Sequence, residues 1–306
     1  MKSLLALATL SLSISTAAFA GDETRIAVMT AFAPEWTAMQ GKLTDTNEVE
    51  INGIKFLLGE LEGKDVVLFM SGVSMVNAAM STQLALDNFN ISAIVFSGIA
   101  GGVNPSYHIG DVVVPARWGQ YLEAVFAREV DGKFVPPSWV KPEWANYGMI
   151  FPRAVDIARP GGQIEEKFWF ETDPELLKVA EKVAGELNLL NCVEENKCLT
   201  HAPEIHVGGN GVSGQAFMDN AEFRDYTFNT FEASVLDMES AAVAHVADVN
   251  GVPFIAFRSL SDLAGGGEGE NEMGTFFGLA SKNSAAVVSA FVEALPAQAP
   301  EEATSK

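Results

Sequence analysis

The body of this chain, residues 21–295, is predicted to fold as one three-layer α/β domain, a central sheet with helices on both faces. Two observations carry the prediction. Apolar runs rich in β-branched residues alternate along the chain with segments of helical period, the pattern of strands and covering helices. Hydrophobic residues make up 48% and charged residues 19% of the 306, which excludes wholesale disorder, collagen and coiled coil. No internal repeat or low-complexity segment divides the domain.

The elements follow in order. Ile26 to Phe32 is the first apolar run, and Phe56 to Leu61 and Val66 to Ser71 form the next two strands. Met75 to Asn88 has helical period, then Ile94 to Ser97 and Val112 to Pro115 are strands again. From Arg117 to Lys167 the pattern lapses. Trp118, Trp139, Trp144, Pro136, Pro137, Pro142 and Pro152 mark an ordered insertion too long for a structureless loop, expected to pack over the domain and to roof a site. Pro174 to Leu187 is a helix, Ile205 to Val207 a strand, Met238 to Val249 a helix, Phe254 to Ser259 a strand and Gly274 to Leu295 the last helix. Asn250-Gly251-Val252-Pro253 ends one helix and leads into the next strand.

The ends read differently. Lys2, an apolar run from Leu4 and Ala18-Phe19-Ala20 before Gly21 have the order of a secretory leader and its cleavage site, so residues 1–20 are expected to be removed and the protein to be periplasmic or secreted. No later run reaches the ~20 apolar residues a spanning helix needs, so no membrane contact is expected after cleavage. The tail, 296–306, reads as flexible. The formal charge of −21 disfavours nucleic acid and anionic membranes as partners. Cys192 and Cys198 are the only cysteines, and in an oxidising compartment such a pair is expected to form a disulfide. The four histidines lack HxxxH or HExxH spacing, so no metal site is expected, and no cofactor.

Two glycine clusters bear on chemistry. Gly209-Asn210-Gly211-Val212-Ser213-Gly214 has the form GxGxxG, but no helix start follows it, and a dinucleotide turn must open a helix. Ser97-Gly98-Ile99-Ala100-Gly101-Gly102 instead follows a buried strand, where glycines let backbone approach a ligand or form a plain tight turn. Glu35, Glu239 and Asp262 sit at strand or loop ends in apolar settings. A carboxylate there is costly unless paired or used. Arg258, inside the strand that Asp262 ends, is a natural partner.

Four blocks in order then resemble the nucleoside phosphorylase superfamily: Ile26 through Glu35; Ser97 through Gly102 running on to Ile109-Gly110-Asp111-Val112-Val113-Val114; Asp237-Met238-Glu239-Ser240-Ala241-Ala242; and Val252-Pro253-Phe254 through Asp262. The pattern is most similar to the methylthioadenosine/S-adenosylhomocysteine nucleosidases. The resemblance implies a mixed, mostly parallel sheet, a homodimer and hydrolysis of purine nucleosides, with a phosphorylase and a non-catalytic nucleoside- or adenine-binding protein as alternatives. It implies Glu35 as the base that activates water and Arg258 as an aid in holding that water. Glu239, beside Met238, would bind the ribose hydroxyls, and Asp262 would protonate purine N7. Phe217 and the backbone of Met218 would receive the base, and Ala100 and Gly101 would line the pocket. Where the nucleosidases carry a hydroxyl that bonds the purine acid, this chain has Ile99, leaving the orientation of Asp262 to be explained.

Overall fold

Alternate residues of the first strand divide between two separate cores, and that division sets the layers. The computed structural model describes residues 23–194, 197–267 and 269–296. The expected leader and all but the first residue of the expected flexible tail lie outside them. Strand β1 (Arg25–Thr30) sends Ala27 and Met29 to one face and Ile26 and Val28 to the other, as the two-residue period of a strand requires. Helices α2 (Met75–Asn88) and α5 (Ser240–Asn250) cover the first face. The second is covered by α1 (Ala33–Gln40), α3 (Pro174–Ala184) and α6 (Met273–Ala294).

The remaining strands of the main sheet are β2 (Thr44–Ile51), β3 (Ile54–Leu61), β4 (Lys64–Met70), β5 (Ile91–Gly102), β6 (Val112–Val114), β7 (Arg117–Gly119), β8 (Trp169–Glu171), β9 (Ile205–Val207), β10 (Asn210–Ser213), β11 (Ala233–Asp237) and β12 (Phe254–Asp262). Their order is β8-β7-β10-β11-β5-β1-β4-β3-β2, with β12 paired to both β5 and β6, and β9 to β6. The sheet is mixed, as expected. β5 lies parallel to β1 and β12, while β2, β3 and β4 meet antiparallel.

Several differences from the sequence reading have physical causes. β2 was not predicted because Thr44–Ile51 is a mostly exposed edge strand with no apolar alternation. β10 and β11, α1 and α4 (Ala221–Phe231) were also missed. β5 runs through the glycine cluster to Gly102 instead of ending at Ser97. The first strand stops at Thr30, where Phe32 caps α1. The helix expected from Met238 begins at Ser240, which leaves Met238 and Glu239 on a loop at a strand end. The GxGxxG segment holds β10, and the next helix begins only at Ala221.

The insertion is bounded by main-sheet strands, since Arg117–Gly119 pairs with β10 and with β8. Between them, three small two-stranded antiparallel sheets and a loop pack beside α4 and α5. Trp144 and Phe168 stack, Phe168 stacks on Phe231, and Arg159 and Lys167 both pair with Asp248 on α5. No residue of 117–167 lines the cavity described below, whereas Gln120, Leu122 and Glu123 border a second cavity against α2 and α5.

Cys192 and Cys198 face each other across a small antiparallel hairpin and are joined by a disulfide. Leu190, just before it, is tied through backbone N–H and carbonyl to Asn283 of α6. Mass spectrometry of protein purified without reductant is expected to show no free thiol. Because the closed loop is short, reduction is expected to cost about 2 kcal/mol in urea unfolding, leaving the native fold populated.

Candidate active site

At the carboxyl ends of β1, β5, β11 and β12 lies a cavity lined by Ala31, Phe32, Glu35, Val73, Ile99, Ala100, Gly101, Ala216, Phe217, Met218, Leu236, Asp237, Met238, Glu239, Ser261, Asp262 and Met273. Strand ends are where open α/β sheets place ligands. Eight of the nine residues proposed from sequence meet here. The ninth, Arg258, is wholly buried behind them and does not line the cavity.

Glu35 is placed by the start of α1. Its Oε2 accepts the backbone N–H groups of Ala31 at 2.6 Å and Phe32 at 3.3 Å, capping the helix, and its Oε1 accepts that of Ile99 at 2.8 Å. Burial pushes its pKa up, while Arg258 and these three donors work against the rise.

Arg258 sits among three acids. Its Nε lies 2.8 Å from Asp237 Oδ2 and donates to Ser240 Oγ at 3.0 Å. Its Nη2 is 3.5 Å from Glu239 Oε2, and its Nη1 is 4.0 Å from Glu35 Oε1. The guanidinium also lies 3.8 Å over the Phe96 ring, a cation–π contact in a dry setting. This packing dictates Gly98, where a Cβ would fall 1.9 Å from Arg258 Nη1 and 2.8 Å from Glu35 Oε1. Ser284 of α6 ties down the same stretch of β5, accepting from Gly98 N and donating to Phe257 O of β12.

Asp237 and Ser74 were not singled out from sequence. Asp237 Oδ1 accepts from Ser213 Oγ and from the backbone N–H groups of Glu239 and Ser240, so it shapes the loop that carries Glu239. Its position two residues before Glu239 was the available signal. Ser74 N donates to Glu239 Oε1 at 2.8 Å from a strained backbone, φ +92°, of the kind found at functional sites. Only the turn Ser71-Gly72-Val73-Ser74 pointed to it. Burial, with Asp237 and Glu35 adding to it against Arg258, pushes the Glu239 pKa up to about 7.

Asp262 answers the question raised by Ile99. Its Oδ1 accepts from Ala264 N at 2.8 Å, its Oδ2 from Ser261 Oγ at 2.9 Å, and Asn271 Nδ2 is 3.4 Å from Oδ1. The acid is therefore oriented without a hydroxyl at position 99. Burial raises its pKa. Phe217, 56% exposed, and Met273 stand at the cavity's apolar wall. Among the described residues no group of His, Cys, Asp and Glu is placed to hold a metal ion.

Residues 25–293 match the model of the phosphorylase superfamily. The chain is 30% identical to the 5′-methylthioadenosine/S-adenosylhomocysteine nucleosidase of Staphylococcus haemolyticus over 272 residues, covering 88% of this chain and 100% of the relative. It is 30% identical to that of Bacillus licheniformis over 267 residues, covering 86% and 96%. Among solved structures, the Neisseria meningitidis nucleosidase in complex with methylthio-immucillin-A superposes with a TM-score of 0.66 at 25% identity, covering 89% and 99%. A Helicobacter pylori futalosine hydrolase gives 0.66 at 23%, covering 89% and 98%.

Two stability outcomes follow from the buried charges. Arg258→Met is expected to cost about 3 to 5 kcal/mol in urea unfolding at neutral pH, because it strands three carboxylates, and the loss should shrink in acid as they protonate. The folded protein holds Glu239's proton up to about pH 7 against an ordinary 4.5, so it binds more protons than the unfolded chain through that window. Stability should fall as pH rises through it, and more steeply in wild type than in Glu239→Gln.

Proposed function

The chain belongs to the phosphorylase superfamily, and from the site it carries we propose that it hydrolyses the N-ribosidic bond of purine nucleosides, adenine nucleosides such as methylthioadenosine foremost, releasing free base and sugar. The observation that carries this reading is the placing of three carboxylates in three different environments around one cavity. Breaking the bond builds positive charge on the sugar and negative charge on the departing base. The base therefore needs a proton while a nucleophile waits on the other side of C1′.

Asp262 suits the first task, since burial favours its protonated form and its neighbours fix its direction. Glu35 suits the second. Burial makes it a stronger proton acceptor, and Arg258 with three backbone donors favours its charged form. Among the described residues no backbone donor meets Glu239 Oε2, while Ser74 holds Oε1, which leaves an oxygen to grip the ribose hydroxyls. Once ionised, as pH rises through about 7, its negative charge also favours the cationic sugar. Arg258 acts through these acids and not on substrate. Phe217, Met218, Met238, Ala100 and Gly101 supply the walls.

A phosphorylase needs cationic donors where the nucleophile sits. No arginine lines this cavity. Arg258 is taken up by Asp237, Ser240 and the two glutamates, and Glu35 would repel a phosphate. Water is the nucleophile that the charges favour.

The protein is further read as exported, through the leader at 1–20, to the periplasm or medium. The cross-hairpin disulfide supports an oxidising compartment. It is read as a homodimer acting on a small-molecule nucleoside. The exposed Val73 at the cavity wall, with Val76 and Met80 on α2, supports a subunit contact.

Adenine release from methylthioadenosine, adenosine and S-adenosylhomocysteine, followed by chromatography, tests the reading. Release is expected, and nucleoside binding by calorimetry with no release would overturn it in favour of a binding protein. Glu35→Gln and Asp262→Asn are each expected to cut the rate by about a hundredfold or more with the fold retained, and wild-type rates in either would remove that residue from the reaction.

A further inference from the structure

The two oxygens of Asp262 are not equivalent, and the difference says where its proton resides. Oδ1 accepts from the backbone N–H of Ala264 and faces the amide nitrogen of Asn271. Neither group can accept, so a proton on Oδ1 would point at N–H hydrogens. Among the described residues, the hydrogen-bond partner of Oδ2 is the Ser261 hydroxyl at 2.9 Å. A hydroxyl both donates and accepts, and this one has a second acceptor at 3.4 Å, the carbonyl of Ala100. Ser261 is buried, 1% exposed.

We propose that Ser261 is a positioning residue that follows the proton of Asp262, its hydroxyl hydrogen turning from the Ala100 carbonyl to Oδ2 as the carboxyl gives its proton to the base. The inference rests on the nucleosidase reading above. While Oδ2 carries its proton, Ser261 donates to Ala100 O. When the glycosidic bond breaks, its electron pair goes to the base and the proton leaves Oδ2 for the purine nitrogen. Ser261 then donates to the new carboxylate. It keeps its own hydrogen throughout and only exchanges acceptors. A fixed N–H donor at this place would hold the carboxyl ionised before reaction, and an apolar residue would leave the product carboxylate unsupported.

Other charges bear on the same acid. Asp219, before α4, disfavours its ionised form, and Glu35, Asp237 and Glu239 stand around the same cavity with Arg258 behind them. Ser261 is the donor whose removal changes Asp262 while leaving those groups in place.

The test measures kcat and KM for methylthioadenosine across pH in wild type, Ser261→Ala and Ser261→Thr, with calorimetric binding of free adenine over the same range. In Ser261→Ala, kcat is expected to fall about tenfold with KM within about twofold. The alkaline limb should move to higher pH, because the ionised carboxyl has lost its donor. Adenine binding, which needs the protonated acid, should weaken at a correspondingly higher pH. Ser261→Thr, which keeps the hydroxyl, should keep both limbs in place. An unmoved limb in Ser261→Ala, or equal shifts in the Ala and Thr variants, would overturn the inference. The adenine limb gives this answer even if wild type releases no base, an outcome that would sink the hydrolase reading instead.

Discussion

One buried guanidinium holds the site together. Arg258 lies in the central strand β12 with no solvent contact, facing Asp237 and Glu239 at the end of β11 and Glu35 on α1. A charge so placed must be paired, and its partners are charges that would repel one another without it. This mutual need fixes the neighbouring choices. Gly98 is required because any side chain would collide with the guanidinium, Phe96 offers its ring face beneath it, Ser240 accepts from Arg258 Nε and Ser213 donates to Asp237 Oδ1. The strands bearing these groups are adjacent in the sheet, so folding the core and assembling the site are one event.

Around that centre the acids differ by what else they touch. Glu35 takes three backbone N–H groups at a helix start, Glu239 takes one from a strained turn, and Asp262, farther along β12, has a hydroxyl and an N–H but no cation among its hydrogen-bond partners. These environments sort three chemically similar groups into an acceptor for a water proton, a grip for the sugar and a donor to the base. The fold contributes the sorting by running each residue off the end of a different strand.

Much of this was legible in the sequence because burial leaves a periodic trace. The doubly apolar run Ile26-Ala27-Val28-Met29 could only be a strand covered on both faces, and acids embedded beside Leu236 or after Leu260 had to be paired or used. Edge and loop features left no such trace. Thr44–Ile51 makes a strand from polar residues through its partner β3, a tertiary effect invisible to local pattern. Ser74 contributes a backbone N–H, which every residue but proline carries, and Asp237 acts by hydrogen bonds that only the bend after β11 creates. Ile99 read as a loss, yet Ser261, next to the acid in the chain, supplies the hydroxyl from the other side. The aromatic insertion read as a roof, but its rings found their partners on α4 and the sheet edge.

Placing a carboxylate where a phosphorylase needs cations is the claim on which the functional account turns. Its most direct measurement is the sugar product of methylthioadenosine cleavage, identified by mass spectrometry in phosphate-free buffer and across added phosphate. The account predicts free methylthioribose as product, at a rate that does not rise with phosphate. A sugar 1-phosphate as the main product, with a rate that climbs with phosphate concentration, would contradict it.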